Sequence, residues 1–200
     1  LFQDATSARS LCYYLAQLEL ARAVGTRTAV AFQGLGPLRR LTARVAVTAV
    51  LQDTSAVLWR DPDSAQLARS LGILAPPTLV AADPAVLLDP AGPAEADSLL
   101  ERLGVPCDAP LLGVSLRECA GLTAATPALA AALAEAGRQF GTRILLMPLY
   151  RDLDRGICQR VQERLGASAH TVAEELSPTE WVTLVSQCRA IVSVRLHGLI

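Results

Sequence analysis

Lysine and asparagine are absent from the chain, so all 18 basic side chains are arginines. Lys and Asn codons are AT-rich, and a GC-rich genome would produce this bias without any functional demand. An arginine here is therefore weaker evidence for anion binding than it would be in a lysine-containing protein. The formal net charge is -1. That excludes a general nucleic-acid binder, because phosphate backbones need a concentrated basic face. No apolar run reaches the roughly 18 residues that span a bilayer. The opening is polar at Gln3, Asp4 and Thr6 and has no initiator Met, so we expect no secretory leader and a trimmed start. The five cysteines (Cys12, Cys107, Cys119, Cys158 and Cys188) are odd in number and widely spaced, with no C-x-x-C. A zinc site or a disulfide framework is thereby disfavoured, and the expectation is reduced, mostly buried thiols in a cytoplasmic protein.

What is present is core material: 52% of residues are apolar and 18% charged. Helical spacing runs from Ser10 to Val24 and stops at Gly25. Further helices are expected over Leu38–Leu51, after Asp63 to Leu71, and over Ala94–Leu103, Pro127–Phe140 and Asp154–Leu165. Another follows at 177–187, with Ser177, Pro178 and Glu180 forming a capping box. Short β-type runs lie at Thr28–Phe32, Ala56–Trp59, Thr78–Val80, Leu111–Leu116, Arg143–Met147 and Ala190–Val194. Strands alternate with helices, so the expected class is α/β with parallel sheets. The proline-rich stretch around Pro90, Pro93, Pro106 and Pro110 reads as a connection over 89–110, between a domain at 1–88 and another at 111–200. In parallel sheets ligands bind beyond the carboxyl ends of the strands. Arg60, Asp61, Asp83, Arg117, Arg195 and His197 all fall at such ends, and a site drawing on both domains is the economical expectation.

Each candidate has a plain alternative. The Gly34-Leu35-Gly36 segment lacks the third glycine of the dinucleotide fingerprint, where Arg39 stands. It is either a tight turn or a backbone approach to an anion. Asp61 or Asp63 can cap the next helix, whereas Arg60 has no such local task. A salt bridge from Arg117 to Glu118 is disfavoured, since adjacent strand residues point to opposite faces. His170 lies in a polar loop and reads as structural. His197 follows a strand and precedes Gly198, where backbone can come close to a ligand. If that strand continues, Arg195 and His197 face the same way; if a helical turn begins, they diverge.

The stretches LFQDATSARSLCYYL, QGLGPL, WRDPDS, AADPAVLL, GVSLRE, LSPTEW and VSVRLHGLI occur in the order and spacing of polysaccharide pyruvyl transferases, and the chain resembles that family over nearly its whole length. Each motif is weak alone; seven in order are more specific. The family's usual glycine-rich opening and the elements that follow RLH are absent, so the resemblance leads us to expect an internal fragment truncated at both ends. It implies two Rossmann-like domains in a GT-B-like α/β arrangement. It implies transfer of the enolpyruvyl unit of phosphoenolpyruvate onto two hydroxyls of a cell-wall or exopolysaccharide sugar, often lipid-linked, to form a ketal. No cofactor and no essential metal are implied. The expected location is cytoplasmic, at the inner face of the membrane, with peripheral membrane association. Carried over by motif, Arg60, Arg117 and His197 match the family's basic donor-site residues. Arg60, Arg117 and Arg195 are the phosphoenolpyruvate-binding candidates and His197 and Asp4 the catalytic ones, while Arg195 either touches substrate or only holds the turn, and the role of Asp83 is open. The fork of Arg suits phosphate and carboxylate, and imidazole serves as acid or base near neutrality. The competing readings are a GT-B-type glycosyltransferase using a nucleotide sugar, and a non-catalytic saccharide-binding relative.

Overall fold

The structure is a computed structural model that describes residues 1–5 and 7–200. It divides into two units, Leu1–Pro84 and Ala85–Ile200, each described by itself.

In the first unit, α1 (Ala8–Ala23) starts where the Ser7 hydroxyl accepts the Ser10 N–H at 3.1 Å. Three parallel strands follow in the spatial order β1-β2-β3: β1 (Ala29–Gln33), β2 (Ala56–Trp59) and β3 (Thr78–Val80). The helices α2 (Leu41–Gln52) and α3 (Pro62–Ser70) connect them. Alternation along β2 buries Val57 and Trp59 completely, against Val47 and Leu51 of α2. Full burial of such side chains contributes roughly 1.5–3 kcal/mol each. Helix α2 starts at Leu41 rather than at the expected Leu38, because Arg40 is extended and Pro37, Arg39 and Arg40 are hydrogen-bonded to Asp4 at the chain start. Asp61, not Asp63, caps α3, accepting the Ser64 N–H at 2.7 Å with Pro62 at the first helical position.

The second unit holds α4 (Pro93–Arg102), β4 (Leu111–Ser115), α5 (Ala120–Ala124), α6 (Thr126–Phe140), β5 (Arg143–Leu146), α7 (Arg151–Leu165), β6 (Ala169–Thr171), α8 (Pro178–Ser186) and β7 (Cys188–Ser193). Its parallel strands are ordered β6-β5-β4-β7. Ile144 and Leu146 point to one face, where Ala130, Leu133, Ile157 and Val161 of α6 and α7 cover them. Leu145 and Met147 point to the other, against Leu99, Leu100 and Leu103 at α4 and Leu184 of α8. A parallel sheet needs both faces covered, and α4 is part of that cover. The segment expected as a connection, 89–110, therefore lies within the second unit, and the division falls earlier, after Pro84. The capping box of α8 is present: Glu180 N–H donates to Ser177 Oγ at 3.3 Å, and Ser177 N–H to Glu180 Oε2 at 2.8 Å. Among the described residues no helix is long and apolar enough to cross a membrane.

Candidate active site

Arg60 follows β2, and its N–H donates to the Gln33 carbonyl at 3.0 Å, which fixes it at the carboxyl ends of β1 and β2. Its guanidinium lies over Gly34: a Cβ there would come within 3.0 Å of Nη2. Arg60 Nη1 is 3.4 Å from Oδ2 of the buried Asp83. The two candidates at the ends of β2 and β3 are thus an ion pair. The Gly34–Gly36 turn is tied by the chain itself. Leu35 N–H donates to Ser64 Oγ at 2.8 Å and Gly36 N–H to the Phe2 carbonyl at 2.7 Å. Of the two readings of that segment, the tight turn fits these bonds.

Asp4 is buried, and its two oxygens accept the Arg39 N–H at 2.6 Å and the Arg40 N–H at 2.9 Å. These amides lead into α2, whose own N-cap, Arg40, has no side-chain cap. The amide hydrogen bonds, Arg39's above all, hold the Asp4 carboxyl below its ordinary value. A carboxylate so held is a poor proton donor near neutral pH, and its geometry is that of a loop anchor.

In the second unit the chain runs from β4 outward through β5 to β6, then crosses to β7 on the other side of β4. The strand order reverses between β4 and β7, and a crevice opens at the carboxyl ends at such a point. Ser115 and Ser193 are paired across it, and Val194 N–H donates to the Ser115 carbonyl at 3.0 Å. Arg117 and Arg195 each stand two residues beyond their strand's last residue. Ser115 Oγ is buried there with no hydrogen-bond partner among the described residues.

The two arginines differ. Arg117 is exposed. Its neighbour Glu118 is taken by Arg160 of α7, whose Nη2 lies 2.6 and 2.7 Å from the two carboxylate oxygens. Arg195 is held by Asp154 of α7, a fully buried carboxylate. Arg195 Nε donates to Asp154 Oδ2 at 2.9 Å, and Nη2 donates to Oδ1. Asp154 Oδ2 also accepts the Tyr150 N–H at 3.1 Å, and the Arg195 guanidinium lies 5.8 Å from the Tyr150 ring centroid. A 3₁₀ turn, Leu196–Gly198, begins directly after Arg195, so the two side chains diverge: Arg195 goes to Asp154 and His197 is exposed. Ser193 Oγ accepts the Arg195 N–H at 3.0 Å and donates to the Arg195 carbonyl at 2.7 Å, closing the turn. Gly198 is required beneath it, because a Cβ would overlap Ser193 Oγ.

Burial pushes the Cys158 thiol up to about 12 and the Cys188 thiol up to about 11, so neither is a ready nucleophile. The expectation of mostly buried thiols fails, since Cys12, Cys107 and Cys119 are exposed.

The family model for polysaccharide pyruvyl transferase matches residues 1–200. The chain belongs to the polysaccharide pyruvyl transferase family. No curated protein matches this pyruvyl transferase family member. Among solved structures it is similar to a glycosyltransferase from Rickettsia africae ESF-5, with a TM-score of 0.54 and 14% identity over 90% of this chain and 55% of that one. The chain thus spans about half the length of that protein, and the likeness supports the GT-B-like α/β class. Sequence reasoning about the pyruvyl transferase missed Asp154, which reads as one more acid on a helix, and Ser193. The clue to Asp154 was its place in the first turn of a helix that follows a strand end, the same neighbourhood as the candidate arginines.

Proposed function

We propose that the protein transfers the enolpyruvyl unit of phosphoenolpyruvate to two hydroxyls of a saccharide, forming a pyruvate ketal. The supporting observation is the switch point of the second unit, where an exposed arginine, Arg117, and an imidazole, His197, follow adjacent strand ends. Arg117 is suited to the phosphate or the carboxylate of the donor. A proton added to the methylene carbon makes C2 electrophilic. A sugar hydroxyl then attacks C2 and loses its proton, the C2–O bond to phosphate breaks, and the second hydroxyl attacks C2 and loses its proton in turn. His197 is the group assigned to proton transfer. Arg195, chelated by Asp154, is assigned to holding the His197 turn, and Asp4 is left out of the chemistry. Arg60 stays a candidate for anion binding on the first unit, released from Asp83 when it does so. A cytoplasmic enzyme acting on lipid-linked saccharides fits this reading, since phosphoenolpyruvate is a cytoplasmic metabolite.

The test is phosphate release from phosphoenolpyruvate in the presence of β-linked N-acetylmannosamine or galactose acceptors. No release with any saccharide acceptor would overturn the reading. His197→Ala should lower turnover by about 10²–10⁴-fold, the usual worth of a positioned acid or base. Near-normal turnover would remove His197 from the chemistry.

A further inference from the structure

The loops that leave β5 and β6 enclose, with α8, a cavity of about 280 Å³. It lies at the carboxyl end of the second unit's sheet, the same end as Arg117 and His197. Pockets for drug-sized ligands measure roughly 300–1,000 Å³, so this one, open to solvent on one side, has room for a single ring. Its lining is of two kinds. Leu149, Tyr150 and Trp181 give it an apolar and aromatic wall, and Arg151, Asp152 and Glu175 give it charged groups.

A pyranose ring has the matching chemistry. One face is made of C–H groups, which the negative face of an aromatic ring attracts. Its rim carries hydroxyls, which donate to carboxylates and accept from a guanidinium. Two carboxylates against one guanidinium disfavour a ligand bearing both a phosphate and a carboxylate, so the cavity selects against phosphoenolpyruvate. Tyr150 joins it to the His197 turn, because Arg195 lies over the Tyr150 ring.

We propose that this cavity is a subsite for one neutral pyranose ring of the acceptor saccharide; the word acceptor rests on the pyruvyl-transfer reading above. Trp181 makes the subsite directly observable. The only other tryptophan, Trp59, is fully buried in the first unit. Methyl β-glycosides of N-acetylmannosamine and galactose, added without phosphoenolpyruvate, should change the tryptophan fluorescence in a saturable way for at least one of the two. The Asp152→Asn/Glu175→Gln double variant changes only exposed carboxylates. It should abolish that response and raise the acceptor KM about tenfold, while the KM for phosphoenolpyruvate holds. No response to either glycoside overturns the proposal, as does a response that survives unchanged in the double variant. A response that the double variant loses, in a protein that releases no phosphate, upholds saccharide binding at the cavity and removes only the pyruvyl-transfer reading.

Discussion

The ends of β4 and β7 start from the same register and finish differently. Ser115 and Ser193 are partners, and an arginine follows each by two residues. After β4 the arginine is left exposed and its acidic neighbour is drawn off to Arg160. After β7 the arginine meets a buried carboxylate 41 residues away and becomes part of the frame. What separates them is what α7 offers each: the buried Asp154 takes Arg195, whereas Arg160 takes Glu118 and leaves Arg117 out. An arginine at a strand end is thus read by where the nearest buried carboxylate lies, not by its motif.

Asp154→Ala should have the largest effect on this contrast. Removing the buried acceptor of a charge-assisted pair whose arginine is partly exposed costs about 1.5–3 kcal/mol, and the denaturant midpoint should fall accordingly. A midpoint equal to that of the parent protein would put Arg195 in the same class as Arg117. Arg117→Gln should come next, with the stability unchanged to within about 0.5 kcal/mol. Its phosphoenolpyruvate KM should rise about tenfold, equivalent to the roughly 1.5 kcal/mol of one charge-assisted hydrogen bond. An unaltered donor KM would leave the β4 end without a binding role. The smallest effect belongs to Glu118→Gln and is visible through pH. The Arg160 hydrogen bonds, ahead of that from Thr123, hold the Glu118 carboxyl below its ordinary 4.5. The folded state therefore binds that proton less readily than the unfolded chain. The pair's contribution is complete above pH 4.5 and is lost as pH falls through the lowered value. Stability curves of parent and variant should differ slightly at pH 7 and converge in acid; a constant gap down to pH 2 would argue against the pair.

Local signals carried much of the fold into the sequence. The Ser177–Glu180 box, Asp61 before Pro62, and the short β-branched runs each act within a few residues, and all appear where their chemistry places them. What was not legible depends on distant partners. Strand β6 is three residues long and includes His170, so it read as loop; only pairing with β5 makes it a strand. The helix over 94–103 was legible, but the prolines near 89–110 made it read as part of a connection; that its leucines cover a sheet face of the second unit shows only in the packing. At the site, the positions of Arg60, Arg117 and His197 at strand ends were legible. The tasks of Asp4 and Arg195 were not, because backbone amides 35 and 36 residues on define the first and a helix carboxylate defines the second.

The closeness of Gly198 to Ser193 has a consequence for anyone who randomises this turn. The hydroxyl that pins the Arg195 peptide is also the atom that forbids a side chain at 198. A library varied at 198 alone will return almost only glycine. One varied at 193 and 198 together can trade the hydroxyl for a Cβ, at the expense of the clamp. The two positions are one heritable unit, and diversity in the turn that carries His197 has to enter through both at once.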